Sequence, residues 1–326
     1  YNSILFRQGD IMFKKRKFLI ILLAVISFLI LCVIGFAGNY LVDYAITVDE
    51  NGNLGSMSEP YTGIQDTLAQ KEYDEWITNQ DLGEWEITNK EGLNLWAQYY
   101  PALEDTNVTI LAVHGYTVDH RDIVPAIKPF VEQGYSVLAI DQRGRGQSEG
   151  NYLGMGWLEK DDVIEWINAI IEQYPNNKII LYGESMGAAT VMLAASQQLP
   201  ENVIGVIEDC GYTSAYEMFE DQLKERFGLP AFPFLPAAQI VGQLRACYDF
   251  GKASPINALK NATLPILFIH GGDDTYVPTW MGEKLYASYQ NQKELLIIPG
   301  AEHGASADVD PDLYYKTIFD FIESIN

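Results

Sequence analysis

The sequence predicts an α/β fold with a mostly parallel central sheet, helices on both faces of that sheet and a small, mainly helical insertion. Three observations support this prediction. Short apolar runs alternate with helix-like stretches along most of the chain, as in repeated βαβ units. With 326 residues, 48% of them hydrophobic, the chain can bury one core of this kind. An almost uncharged segment near the N-terminus predicts a transmembrane helix in addition.

The α/β domain is predicted to occupy residues 81–326. Two alternating runs, 84–89 and 93–100, are separated by Lys90-Glu91-Gly92 and predict a β-hairpin that opens the domain. The predicted strands that follow are the compact apolar runs 108–113, 136–140, 178–182, 203–208, 265–270 and 294–298. The predicted helices include 160–172, 186–198, 279–289 and 311–325.

One long segment, about 212–259, does not follow this rhythm. Pro230, Pro233 and Pro236 interrupt its helical patches, and its aromatic and apolar content suits a cap over a pocket. Its aromatic side chains either line an acyl pocket or pack the insertion against the sheet, and packing is the expected role of most of them.

The N-terminal region predicts a membrane anchor. Residues 1–17 form a leader that ends in the basic cluster Lys14-Lys15-Arg16-Lys17, and Met12 stands where an initiator would stand. Residues 18–38 are almost unbroken in apolar character, long enough for a helix of roughly 30 Å that matches the bilayer core. An uncleaved signal-anchor is favoured over a cleaved signal peptide, whose apolar region is shorter.

Residues 39–80 are predicted to be a solvated linker, rich in Asp, Asn, Gly and Ser up to about Gly63, followed by a short helix around 64–78. Because basic clusters stay in the cytoplasm, the domain after the anchor is expected to be extracytoplasmic, with the protein held in the cell membrane by a single pass.

Composition argues against several classes of partner. The formal net charge is −23 and the chain has only 21 Lys and Arg residues, so we expect no nucleic-acid partner. The acidic pair Glu208-Asp209 has no His or Cys cluster beside it at ligand spacing, so we expect no metal and no cofactor. Cys210 and Cys247 are compatible with either a disulfide or two free thiols.

Gly183-Glu184-Ser185-Met186-Gly187 has the form G-x-S-x-G, in which a tight strand-to-helix turn exposes a serine hydroxyl. An apolar strand pattern precedes it, and an alanine-rich helix pattern follows it. As an alternative, Ser185 is only a helix N-cap, but that role does not require the flanking glycines. We therefore predict that Ser185 is a nucleophile.

A serine hydroxyl needs a histidine base, whose ring is oriented by a carboxylate. In the fold that contains this serine turn, the three residues follow one another along the chain in the order serine, acid and histidine. This order eliminates His114 and His120, because both precede Ser185. His270 precedes its nearby acids, whereas His303 follows the last strand, so His303 is the predicted base. The acid is expected in the loop after His270, and spacing alone does not choose between Asp273 and Asp274.

The motifs together resemble the α/β-hydrolase superfamily from about Glu84 to the C-terminus, and within it bacterial membrane-anchored, serine-aminopeptidase-like or esterase-like members. The residues that carry the resemblance are the G-x-S-x-G turn, Asp141-Gln142-Arg143-Gly144-Arg145-Gly146-Gln147-Ser148, His114-Gly115-Tyr116, Asp274-Thr275-Tyr276-Val277-Pro278 and Gly300-Ala301-Glu302-His303. The resemblance implies the α/β-hydrolase fold, with Asp274 as the acid and His303 as the base.

An acyl-transfer reaction also needs donors for an oxyanion. The expected donors are the backbone N–H groups of Met186, at the start of a helix, and Tyr116, in a loop after a strand. The resulting hypothesis is a serine hydrolase that cleaves carboxylic esters, with short peptides or amides as second choice. The alternatives are an acyltransferase with the same fold and a non-catalytic extracytoplasmic binding protein.

Overall fold

A computed structural model of the protein describes residues 2–49, 52, 54–55, 73, 75–102 and 107–326, without the side chains of 2–12 and 14. Most of the short helix expected around 64–78 lies outside the described residues. Within that range, residues 75–78 are helical.

The centre of the molecule is an eight-stranded sheet in the order β1-β2-β4-β3-β5-β6-β7-β8. The strands β1 and β2 form the predicted antiparallel hairpin, β2 is antiparallel to β4, and all later neighbours are parallel. The α/β fold class is confirmed. The strands are β1 Gly83–Thr88, β2 Asn94–Tyr100, β3 Val108–Val113, β4 Ser136–Ile140, β5 Lys178–Glu184, β6 Val203–Asp209, β7 Ile266–Gly271 and β8 Lys293–Ile298.

Ten α-helices of at least four residues have bounds within the described part of the chain. They are α1 Asn2–Ala45, α2 Val124–Glu132, α3 Glu159–Gln173, α4 Met186–Ala195, α5 Ala215–Phe227, α6 Ala231–Ala246, α7 Pro255–Ala258, α8 Trp280–Ser288, α9 Ser306–Val309 and α10 Pro311–Ile325. The helix α2 was not predicted, because Pro125 and Pro129 obscure its helical pattern. Pro125 is tolerated in the first turn, where an N–H would have no partner.

The sheet is covered on both faces, which explains why its central strands are uniformly apolar. One core contains Trp166 of α3, Val191 of α4 and Leu285 of α8. The other contains Phe130 of α2 and Phe321 of α10. Because parallel strands end at the same edge, the loops that follow β3, β5, β6 and β7 converge at one end of the molecule.

The predicted insertion is helical and consists mainly of α5 and α6. Ser214 caps α5 by accepting a hydrogen bond from the Glu217 N–H at 3.2 Å, and Gly228 ends it in a left-handed conformation. Of the two cysteines that follow the anchor, Cys210 is buried and Cys247 is exposed, and both are free.

The N-terminal helix α1 is the one helix, among the described residues, that is long and apolar enough to cross a membrane. Its qualifying part is Lys15–Ala45, with a mean hydropathy of 3.3 over its most apolar window, and none of that window is buried inside the protein. The helix continues past residue 38, where the anchor was predicted to end, to Ala45.

The segment after α1 packs on the domain, although it was predicted to be a solvated linker. Ile46, Val48 and Leu54 are buried. The Val48 N–H donates to the Asn151 carbonyl, and the Leu153 N–H donates to the Ile46 carbonyl. The polar composition of the segment predicted exposure to solvent. The three apolar residues are buried because the distant segment 151–153 pairs with this one. The end of α1 is thereby fixed to the domain.

Candidate active site

Ser185 lies in a sharp turn between the central strand β5 and the helix α4. Its φ of 55° and ψ of −112° are strained for a residue with a side chain. The turn is also crowded, since a Cβ on Gly187 would lie 2.0 Å from the Val113 carbonyl oxygen. The Ser185 N–H donates to the Asp209 carbonyl at 2.8 Å, which ties the turn to β6. The strand, turn and helix expected from the G-x-S-x-G pattern are therefore present.

The turn brings Ser185 next to His303. The Nε2 atom of His303 is 2.9 Å from the Ser185 Oγ, and its Nδ1 atom is 2.7 Å from Oδ2 of Asp274. His303 comes from the loop after β8, and Asp274 comes from the loop after β7. Three residues from distant parts of the chain thus form one continuous hydrogen-bonded row.

The loop after β7 distinguishes the two neighbouring aspartates. The Asp274 side chain is fully buried, whereas Asp273 is exposed. Oδ1 of Asp274 accepts hydrogen bonds from the N–H groups of Tyr276 and Val277, each at 2.9 Å. This oxygen is fixed by the backbone, and Oδ2 is left to face His303.

A second histidine, His270, also contacts Asp274. Its Nε2 atom lies 2.8 Å from the Val277 carbonyl oxygen and 3.4 Å from Oδ2 of Asp274. Burial alone would raise the pKa of the Asp274 carboxyl, but hydrogen bonds from His270, His303 and the Val277 N–H outweigh it and lower the pKa to about 2. Asp274 is therefore ionised at neutral pH. From the sequence, His270 was considered only as a base and rejected. Its position four residues before Asp274 was the signal that could have predicted this contact.

The two expected oxyanion donors line the same pocket as Ser185. Met186 is the first residue of α4, where backbone N–H groups have no partner within the helix. Tyr116 follows Gly115, on which a Cβ would lie 3.6 Å from the Ser185 Cβ. The phenol of Tyr116 donates to the carbonyl of Ala45, at the end of α1. The oxyanion role of both residues stays a prediction.

The space beside Ser185 is a pocket of about 370 Å³. Besides Tyr116, Ser185 and Met186, its lining residues are Met155, Tyr212, Met218, Phe219, Gln222 and Tyr276. Methionine and aromatic side chains predominate, with one amide, so the pocket suits an apolar group next to a polar reacting centre. Tyr212 and Phe219 come from the insertion, as the pocket-lining alternative had allowed.

One set of potential metal ligands lies outside the site. Ligand atoms of Asp119, His120 and Asp141 are within 4.8 Å of one another. The Asp141 carboxylate, however, already accepts hydrogen bonds from the N–H groups of His120 and Gln147. This cluster therefore has a structural explanation, since it holds the loop after β4 in place.

Comparison with known proteins agrees with the fold. The family model "Serine aminopeptidase, S33" matches residues 104–214. YqkD of Bacillus subtilis, an uncharacterized protein, is 32% identical over 70% of this chain and 75% of its own. YfhR of Escherichia coli K12 is 28% identical over 73% of this chain and 80% of its own.

Solved structures show the same architecture. An esterase from Pyrococcus furiosus superposes with a TM-score of 0.63 at 21% identity, covering 78% of this chain and 93% of its own. At that identity the likeness concerns the fold. This likeness, the family match and the relative YqkD together establish that the chain belongs to the α/β-hydrolase superfamily. The protein is an α/β-hydrolase enzyme.

Proposed function

We propose that the protein hydrolyses carboxylic esters through an acyl-enzyme on Ser185. The observation that carries the proposal is the row Ser185 Oγ, His303 and Asp274, with separations of 2.9 and 2.7 Å. Both distances lie within the hydrogen-bonding range needed for proton transfer to a base and for orientation of its ring.

In the proposed reaction, the Ser185 Oγ attacks the ester carbonyl carbon while its proton passes to Nε2 of His303. The oxyanion accepts hydrogen bonds from the N–H groups of Met186 and Tyr116. The acyl carbon–oxygen bond then breaks, and His303 protonates the departing alkoxide. Water, deprotonated by His303, attacks the acyl-enzyme and releases the carboxylic acid. Asp274 stabilises the imidazolium in both halves of the reaction.

The pocket composition favours esters over peptides with a free N-terminus. Recognition of an α-ammonium group in a buried site requires a carboxylate partner. No Asp or Glu side chain is among the described residues that line the pocket. The acyltransferase alternative uses the same acyl-enzyme with an alcohol in place of water, and product analysis with added alcohols would detect it. The curated relatives include an esterase/perhydrolase from Acinetobacter calcoaceticus, 23% identical over 73% of this chain.

Labelling with a fluorophosphonate probe tests the activated serine directly. We expect labelling of the wild type and none of Ser185→Ala, with His303→Ala reduced by at least about a thousandfold. Asp273→Asn serves as a folded control, because Asp273 is exposed and its Asn variant is expected to keep labelling. A folded wild type that stays unlabelled and hydrolyses no ester would refute the proposal and support the non-catalytic binding alternative.

The proposed location is the outer side of the cell membrane, with α1 as the anchor and the basic cluster in the cytoplasm. Cys247 gives a direct test because it is exposed, whereas Cys210 is buried and Cys32 lies within the apolar span. A membrane-impermeant maleimide should label right-side-out vesicles and not label the Cys247→Ser variant. Labelling of inside-out vesicles alone would reverse the proposed orientation.

A further inference from the structure

A second cavity lies where the end of α1 meets the insertion. Its empty space is about 520 Å³, part of which is open to solvent. We call it the anchor–cap cleft. Its walls include Leu41 and Tyr44 from α1, Phe219 and Phe227 from α5, and Leu235 and Ala238 from α6.

The anchor–cap cleft adjoins the pocket beside Ser185. Phe219 and Gln222 line both spaces. They stand three positions apart on α5, so they lie on one face of that helix and form the shared wall. A molecule that occupies both spaces must therefore pass between or displace these two side chains, which are the boundary between Ser185 and the cleft.

The walls suit a hydrocarbon chain better than a peptide. Among the described lining residues, the polar side-chain groups are those of Tyr44, Gln222 and Arg226. Of these, Gln222 is already engaged, since its Oε1 accepts a hydrogen bond from Arg226 Nε at 2.8 Å. Each peptide unit of a bound polypeptide would need a donor and an acceptor. A methylene chain needs neither, and each methylene gains by leaving water.

The position of the cleft indicates where such a chain would come from. Leu41 is three residues beyond the predicted span 18–38, so the cleft begins about 5 Å along the helix from the end of that span. Beside it, Phe227 makes edge contacts with Tyr40 and Tyr44, at centroid distances of 6.4 and 5.2 Å. Aromatic residues of this kind are enriched at the membrane–water interface.

The helix α6 forms the other side of the cleft at the same level. It packs closely on α1, since a Cβ on Gly38 would lie 2.8 Å from the Ala237 carbonyl carbon, and Arg245 pairs with Asp43 at 2.6 Å. Its outer face carries exposed apolar residues, of which Ile240 is 61% and Leu244 is 78% exposed. Exposed apolar side chains next to a membrane anchor are what an interfacial helix presents to lipid.

From these observations we propose that the substrates are membrane-lipid esters, whose acyl chain leaves the bilayer beside α1 and occupies the anchor–cap cleft while its carbonyl group reaches Ser185. This inference rests on the proposed ester hydrolysis and on α1 as a membrane anchor. It names the substrate class of that same site. The hydrogen bond from the Tyr116 phenol to the Ala45 carbonyl links the end of the anchor helix to the pocket beside Ser185.

Chain-length dependence tests the inference in the full-length protein in detergent micelles. The substrates are the p-nitrophenyl esters of acetate, octanoate and palmitate. Leu41→Trp fills the cleft without touching the Ser185 pocket, and Ala238→Trp fills it from the opposite wall. Leu313→Trp, at an exposed position on α10 that does not line the cleft, is the matched control.

We expect the wild type to favour palmitate, and each cleft variant to lower kcat/KM for palmitate by about tenfold or more, with acetate changed by less than about twofold. The control should match the wild type for all three esters. If Leu41→Trp is folded and the ratio of palmitate to acetate turnover is unchanged, the inference is refuted while ester hydrolysis stands. If no ester of any length is cleaved, the proposed function itself fails.

Photo-crosslinking tests the membrane source. The Ser185→Ala variant is placed in phosphatidylcholine vesicles that contain a phosphatidylcholine with a diazirine near the end of its acyl chain. We expect crosslinks within residues 215–246 that are lost in the additional Leu41→Trp variant. Crosslinks confined to residues 18–38 would overturn the inference, because they would show that the chain stays in the bilayer.

Discussion

The exchange Asp274→Asn offers a sharp test of the proposed mechanism, because the structure determines which way the new amide must face. Oδ1 of Asp274 accepts two backbone N–H groups, from Tyr276 and Val277, at 2.9 Å each. The introduced side chain must keep an acceptor there, so its carbonyl oxygen takes the Oδ1 place. Its NH₂ group then occupies the Oδ2 place, 2.7 Å from Nδ1 of His303.

The introduced amide N–H needs an acceptor, and the nitrogen that faces it is Nδ1 of His303. The neutral imidazole therefore leaves Nδ1 unprotonated and carries its proton on Nε2. An Nε2–H group cannot accept the proton of the Ser185 hydroxyl. We expect kcat to fall by about 10⁴, as for the same exchange in a Ser-His-Asp protease, equivalent to about 5 kcal/mol of transition-state stabilisation.

The assay is steady-state hydrolysis of p-nitrophenyl acetate together with the rate of fluorophosphonate labelling. Asp273→Asn is the matched control, because Asp273 is exposed and its exchange should leave kcat within about twofold. Thermal unfolding should show that Asp274→Asn is folded, since the contacts to Tyr276 and Val277 are kept. A folded Asp274→Asn enzyme within about tenfold of the wild type would refute the tautomer argument.

Two further predictions concern stability. Burial raises the pKa of Glu208 from 4.5 to about 8. The folded state therefore holds a proton that the unfolded chain releases near pH 4.5. Because of this difference, the free energy of unfolding should fall as pH rises from about 5 to about 8. Urea unfolding at several pH values should show this decrease in the wild type and a smaller decrease in Glu208→Gln. An equal decrease in that variant would contradict the assignment of the pH dependence to Glu208. Gly187→Ala should destabilise the fold by about 1–3 kcal/mol or prevent folding, because its methyl group would meet the Val113 carbonyl. A Gly187→Ala protein with wild-type melting temperature and activity would show that the turn relaxes more easily than its packing indicates.

The sequence predicted most of the candidate site because each proposed role belongs to a residue type in a local pattern. The turn around Ser185 has its glycines where a Cβ would meet backbone, and the loop containing His303 follows the last strand directly. Spacing did not choose between Asp273 and Asp274, and the family resemblance was needed. The physical difference, one carboxylate buried and hydrogen-bonded and the other exposed, arises only when the loop after β7 is folded against β8.

Long-range packing determined the features that the sequence did not predict. His270 contacts Asp274 because the loop after β7 folds back on the end of that strand. Their spacing of four residues did not by itself predict this contact. Ile46, Val48 and Leu54 were placed in a solvated linker because their neighbours are polar, yet pairing with residues 151–153 buries them. Similarly, α2 was overlooked because its two prolines break the local helical pattern, while its burial against the sheet stabilises it.

By itself, the sequence determined the α/β class, the order of the strands along the chain, the membrane-length apolar helix and the candidate nucleophile and base. These features depend on local periodicity, on chain order and on residue chemistry, all of which can be read without coordinates. Only the tertiary structure decided which carboxylate faces His303, how the insertion closes over Ser185 and that α1 forms a wall of the adjoining cleft. These depend on contacts between segments far apart in the chain, where side-chain packing, rather than local pattern, selects the arrangement.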